Sequence, residues 1–177
     1  MVYIPFPDMG TALKNKAIDA TFPVEPFVTF ISEKGFGLKW IRQSDIVKNP
    51  YQDIAGIAFN TDWAEKNREL AIKFMMAWLK GAREYLDASR HKPNRKEVVM
   101  IMTKYTSMKD PALYDKMEWA YVNPNGFVNR ESLADQIRWY HDNGFLEAGI
   151  SVEKFIDHSY LERALERLGR YPEPPVQ

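Results

Sequence analysis

Glu25 lies in the run Thr21-Phe22-Pro23-Val24-Glu25-Pro26-Phe27, with a proline on each side of the Val24-Glu25 pair. Proline fixes its own φ and pushes the residue before it toward extended backbone, so this carboxylate sits on a stiffened connection. A carboxylate held in place in this way accepts hydrogen bonds from a donor-rich organic molecule and opposes a bare anion. The competing reading is a surface acid in a connection, and as a contact at the edge of a cleft Glu25 should be removable with little change in stability. Phe22 and Phe27 flank it and can stack on a planar molecule, although core packing at the ends of elements is the favoured reading for Phe27. Asn60 and Thr61 follow an apolar run and open a polar, helix-forming stretch. Their side chains or free amides can hydrogen-bond a ligand, or they can simply cap the helix.

No other residues form a reactive group. His91, His141 and His158 are far apart, and no His-x-x-x-His or Glu-x-x-His spacing suggests a metal site. Cysteine is absent, which excludes disulfides, thiolate ligands and cysteine nucleophiles, and suits an exported protein. Gly35-Phe36-Gly37 is too short for a dinucleotide fingerprint, and Gly-x-Ser-x-Gly does not occur. Of the five tryptophans, Trp40 falls on an expected strand and the others in helical stretches, and most read as core rather than as a stacking surface. No catalytic constellation, metal or cofactor is expected. Lysine plus arginine equals aspartate plus glutamate, 24 against 24, so no polybasic face invites nucleic acid.

The elements that must hold these residues can be read from periodicity. Asp8 can cap a short helix carrying Ala12 and Leu13. Residues 17–22, 38–41 and 54–59 read as short apolar strands, the last apolar enough for burial on both faces. Phe27 to Lys34 reads as a helix with Phe27, Phe30 and Ile31 on one face, stopped by Gly35. After residue 61 helices dominate. Asp62 and Glu65 have capping-box spacing ahead of a helix over 64–86 whose buried face is Leu70, Phe74 and Trp78, with Lys73 and Lys80 wet. Asn94 and Glu97 repeat that spacing before Val98, Ile101, Met102 and Tyr105. Asn129 opens a helix with Leu133, Ile137 and Tyr140 inward, closed by Asn143-Gly144. Ser151 and Asp157 begin the last turns, where Leu161, Ala164, Leu165 and Leu168 face the core and Gly169 stops the helix. The composition, 45% hydrophobic and 27% charged over 177 residues, is that of an ordinary globular chain. No apolar stretch is long enough for a membrane span, and the start of the chain lacks the pattern of a secretory leader. About three strands against about six helices make a thin sheet, so part of a sheet is expected to lie elsewhere.

The order of motifs carries a resemblance. Asp8-Met9-Gly10-Thr11-Ala12-Leu13-Lys14-Asn15-Lys16-Ala17-Ile18-Asp19-Ala20, followed by Val24-Glu25-Pro26-Phe27, resembles a signature of the binding proteins for nitrate, sulfonates and thiamine-pyrimidine precursors. Lys16 stands where that pattern usually has glycine. Asn123-Pro124-Asn125-Gly126, Asn129-Arg130-Glu131-Ser132-Leu133, Asn143-Gly144 and Phe155-Ile156-Asp157 before Ala164-Leu165-Glu166-Arg167-Leu168-Gly169 resemble the carboxy-terminal part of the same family.

The resemblance implies an α/β fold, namely the helix-rich portion of a type II periplasmic-binding fold. Residues 1–22 would end its second lobe and 23–26 would cross the hinge. Residues 27–170 would form the rest of the first lobe, and 171–177 a loose tail. It also implies a solute-binding component, or a truncated fragment of one, of an ABC import system with an extracytoplasmic location. Its partners would be a small organic ligand, the transporter permease, and either a missing amino-terminal lobe or a second copy of the chain. Glu25, Phe22, Phe27, Asn60 and Thr61 are the expected ligand contacts, and the carboxylate favours a pyrimidine precursor or another organic ligand over nitrate or a sulfonate. Two alternatives remain open: an enzyme like the thiamine-pyrimidine synthases of the same superfamily, and a helical interaction protein that binds no ligand.

Overall fold

A computed structural model describes residues 2–46, 53–147 and 149–172. The described residues form helices and no strand. These are α1 (Phe6–Lys14), α2 (Phe27–Glu33), α3 (Gln43–Ile46), α4 (Thr61–Lys66), α5 (Arg68–Ser89), α6 (Arg95–Tyr105), α7 (Leu113–Lys116), α8 (Arg130–Asp142), α9 (Val152–Phe155) and α10 (Ser159–Leu168). They divide between two units, one of residues 1–41 and 84–121, the other of residues 42–83 and 122–177.

In the first unit α1 packs on α2. Pro7 falls in the first turn of α1, where its missing N–H costs nothing. Asp8 lies inside that turn, because the helix starts three residues earlier than a cap at Asp8 would require; Pro5 occupies the cap. Phe6 stacks on Phe27 at 6.2 Å between ring centres. Gly10 is buried, and a β-carbon there would stand 3.2 Å from Ile31, so the absent side chain allows the close approach of the two helices.

The strand expected at 17–22 is not found: the turn that closes α1 reaches Ala17, and residues 18–22 lie outside any helix or strand. The Ala17 amide donates to Ala12 O at 2.9 Å and the Lys16 amide to Leu13 O at 2.9 Å, a helix-terminating turn. Lys16 adopts φ 56°, the left-handed conformation that glycine enters without penalty. The family's usual glycine thus has a conformational reason, and Lys16 carries its strain.

The core of this unit gathers Val99, Met108, Leu113, Tyr114 and Met117, with Phe27, Phe30, Met102 and Trp119 against them. The buried Tyr114 hydroxyl lies 3.2 Å from Met108 O and 3.0 Å from the Thr106 hydroxyl. Arg95 ties α6 to this core. Its guanidinium donates to Ala88 O at 3.0 Å and to Tyr114 O at 2.9 Å, pairs with Asp115 and lies over the Trp119 ring at 4.6 Å. Trp119 also rests against Tyr85 at 4.9 Å, and burial pushes the Tyr85 phenol above its ordinary pKa. Asn94 does not close a capping box; its amide donates to Glu84 O at 3.0 Å and to the Glu84 carboxylate. The inward face of α6 is Val98 and Val99, whereas Ile101 and Tyr105 are exposed.

In the second unit α5 packs with α10 around Ala64, Ala71, Ile72, Met75, Leu79, Tyr160, Leu161, Ala164 and Leu165. The buried face of α5 differs from the expected one: Leu70 is 54% exposed, Phe74 is 49% exposed and Trp78 is half-buried. Lys73 and Lys80 are exposed as expected. Both stripes have helical period, so periodicity alone could not choose between them; the larger side chains lost to the stripe of small and branched residues that fits α10. Asn60 rather than Asp62 caps α4, accepting from the Trp63 amide at 2.9 Å, and Asn67 separates α4 from α5. Arg167 grips Glu69 with two hydrogen bonds of 2.6 and 2.9 Å, which hold that carboxyl below its usual pKa.

α8 begins as expected at Asn129, whose side chain accepts from the Ser132 amide at 3.1 Å, and ends at Gly144 with φ 75°. Leu133 and Ile137 are half-buried, but Tyr140 is exposed. Leu161, Ala164 and Leu165 are buried on α10 as expected, and Gly169, with φ 75°, stops that helix. Of the expected loose tail, 173–177 lie outside the described residues. Tyr171 is held by Asn125, which accepts from its amide at 2.8 Å and donates to its carbonyl at 3.0 Å.

The strands expected at 38–41 and 54–59 are also not found. Both segments lie outside any helix, with Leu38, Trp40, Ile54 and Ile57 exposed. A strand requires a neighbouring strand to take up its backbone donors and acceptors, and no such neighbour occurs among the described residues.

Two substitutions test this packing. Leu79→Ala should cost about 2–5 kcal/mol in urea unfolding, while Leu70→Ala should stay within about 0.5 kcal/mol. Equal losses would refute the assignment of the buried stripe. Lys16→Gly should raise stability by about 1 kcal/mol through relief of the left-handed backbone, measurable as a higher urea midpoint at unchanged m-value.

Candidate functional site

The connection between α1 and α2 places Glu25 just ahead of the first turn of α2. One carboxylate oxygen accepts from the Thr29 amide at 3.0 Å and the other from the Thr29 hydroxyl at 2.9 Å. Four residues separate donor and acceptor, so the side chain reaches back over the helix start and satisfies an amide that has no partner within the helix. Lys39 completes the cluster. Its ammonium donates to the Thr29 hydroxyl at 2.9 Å and stands 3.6 Å from Glu25. Thr29 is buried, the Glu25 side chain is 17% exposed and the Lys39 side chain 45%. The cluster is therefore an acceptor and a cation held side by side at the surface, both oriented by one buried threonine.

Phe27 begins α2 and is half-buried between Phe6 and the core of its unit, the packing role weighed against stacking. Phe22 belongs to the same unit and is exposed. Asn60 and Thr61 belong to the other unit, where the Asn60 side chain caps α4 and Thr61 is exposed at its first position. Glu25 and Phe27 are thus brought together by α2, while Asn60 and Thr61 form a separate pair. Thr29 and Lys39 escaped the sequence reading. The Glu-x-x-x-Thr spacing ahead of a helix was visible, but Lys39 lies ten residues beyond Thr29 and only the fold brings it back.

Two shallow grooves lie elsewhere. One, of about 310 Å³, is lined by Glu162, Leu165, Glu166 and Arg170. The other, of about 220 Å³, has Phe30 and Leu113 as its apolar lining and Glu33, Lys34, Asp110 and Lys116 around them. Neither contains any of the five expected contacts. Among the described residues no group of three or more histidine, aspartate or glutamate side chains is placed to hold a metal.

The sequence profile of the NMT1-like family matches residues 1–103, more than half of the chain. The chain belongs to the NMT1-like family. No curated protein and no solved structure matches it. The matched residues include the motif from Asp8 to Phe27 and all five expected contacts, whereas the motifs after residue 120 lie beyond the match. This family consists mainly of substrate-binding proteins, which are not enzymes, and it points to a solute-binding protein of the ABC-transporter type acting outside the cytoplasm. No described helix is long and apolar enough to cross a membrane.

The Glu25 cluster makes a stability prediction that differs from that of a merely exposed acid. Glu25→Ala should lower stability by about 1 kcal/mol, since it removes the acceptor for the Thr29 amide. Glu25→Gln, which keeps one oxygen acceptor, should lose less. Urea unfolding of both variants provides the measurement, and an unchanged Glu25→Ala midpoint would refute the capping role.

Proposed function

We infer that this NMT1-like chain is the solute-binding component of an ABC import system, and that it captures a small organic molecule without making or breaking a bond. The observation that carries this reading is the family match over residues 1–103, which contains the Glu25 crossover. Residues 1–22 then end one lobe, 23–26 cross the hinge and 27–170 belong to the other lobe, with 171–177 trailing. Glu25, Phe22, Phe27, Asn60 and Thr61 are the proposed ligand contacts. The transporter permease is the partner that receives the ligand.

The chemistry of the Glu25 cluster favours a ligand that carries both donors and acceptors. Glu25 offers lone pairs to an amino group, and the neighbouring Lys39 ammonium, half-exposed, can donate to a ring nitrogen or an oxygen. An aminopyrimidine of the kind from which thiamine is built meets both requirements. A sulfonate and nitrate each meet only the second, since neither has a proton to donate to the carboxylate. Phe22, exposed and in the same unit, supplies an apolar ring suited to a planar heterocycle.

NMR titration of the chain with a simple aminopyrimidine, a small alkylsulfonate and nitrate tests this reading and reports even millimolar binding. The aminopyrimidine should shift the amides of Glu25, Thr29 and Lys39, with smaller effects from the sulfonate and from nitrate. Glu25→Ala should weaken that binding by roughly 1.5–3 kcal/mol, the value of a charge-assisted hydrogen bond. Equal responses to all three, or no response at those amides, would overturn the ligand class.

A further inference from the structure

Residues Ile54-Ala55-Gly56-Ile57-Ala58-Phe59 are an uncharged, proline-free, apolar run with the composition of a buried strand. In the structure this run is open. Ile54 is 64% exposed, Ile57 is 40% exposed, and Ala55, Gly56 and Ala58 are exposed too. Its backbone makes no hydrogen bond among the described residues.

Both ends of the run are nonetheless fixed. At one end the Asp53 amide donates to the Ser132 hydroxyl at 3.1 Å, Asp53 O accepts from Gln136 at 2.9 Å and the Asp53 carboxylate accepts from the Asn129 amide at 2.5 Å. At the other, Phe59 packs on Tyr160, Phe74 and Trp63 at 5.6–5.9 Å, and Asn60 caps α4. An anchored segment with free backbone donors and acceptors and apolar side chains has one kind of complement, which is another strand.

We propose that Ile54–Phe59 pairs antiparallel with the same segment of a second copy of the chain, about a two-fold axis at Gly56. Three observations favour a second copy. The segment carries no charge and the chain has a formal net charge of zero, so like copies meet without electrostatic repulsion. In this register Ile54 faces Ala58 of the second copy, and Ala55 faces its Ile57, so each large side chain meets a small one across the ladder. A two-stranded ribbon alone is marginal, but Phe59 continues it into the exposed apolar surface of Trp63, Leu70 and Phe74, which adds area to the same interface. The pairing does not depend on the ligand reading.

The absence of cysteine makes the test direct. A β-carbon at Gly56 would have no neighbour within 4 Å, and the residue does not require a positive φ, so Gly56→Cys is tolerated in the folded chain. Paired residues on a two-fold axis lie about 4.5–5.5 Å apart at Cα, within disulfide range. Under mild oxidation Gly56→Cys should cross-link to a covalent dimer at least about tenfold more completely than Lys96→Cys, an exposed position on α6. By sedimentation the unsubstituted chain should have twice the mass of a monomer, and Ile57→Lys should have the monomer mass with unchanged helical circular dichroism. A monomeric unsubstituted chain, a dimer that survives Ile57→Lys, or a Gly56→Cys that cross-links no better than Lys96→Cys would each overturn the proposal.

Discussion

The apolar stripe of α5 is the constraint on which most of this structure depends. Ala71, Ile72, Met75 and Leu79 bury against α10 in one unit, and farther along the same helix Leu86 and Ala88 are buried in the other. Burial of Ile72, Met75, Leu79 and Leu86 contributes about 1.5–3 kcal/mol of transfer free energy each, so the helix that buries them sets the face to which its neighbours must conform. Around this stripe the polar contacts are local. Arg167 clasps Glu69 near the start of α5, and Arg83 donates to Pro124 O at 3.1 Å and to Gly169 O at 2.7 Å. The second contact meets the carbonyl of the glycine that ends α10, where a cation interacts favourably with the helix dipole.

The candidate site follows another principle, in which one buried hydroxyl organises two opposite charges. Thr29 is almost fully buried, so its hydroxyl must have partners, and Glu25 and Lys39 supply them. The arrangement satisfies the first turn of α2 and leaves an acceptor and a donor together at the surface. A structural role and a binding role are therefore compatible for Glu25, because a carboxylate has more lone pairs than the helix consumes. Fixing its orientation in advance also lowers the entropy lost when a ligand binds.

Much was legible from local chemistry. Asn129 capping α8 and Gly144 and Gly169 ending helices depend on interactions within a few residues of one another, and the inward set Leu161, Ala164 and Leu165 was legible because α10 carries a single apolar stripe. The departure at Lys16 was equally visible, and its left-handed backbone now explains it. The choice of Asn60 over Asp62 as a cap was less legible, since two good capping residues stood two positions apart.

Tertiary structure alone decided the remainder. Two stripes of α5 have the same period, and only the shape of α10 selected Ile72 and Met75 over Leu70 and Phe74. Lys39 reaches Thr29 through the path of the intervening chain, which no local pattern encodes. The segments 38–41 and 54–59 have strand composition, yet a strand forms only when another backbone lies alongside it, and the described residues provide none. The sequence by itself therefore determined helix caps, helix stops and family, because those depend on neighbours along the chain. It could not determine which of the two stripes of α5 is buried or whether a strand is paired, because those depend on which surfaces folding brings together.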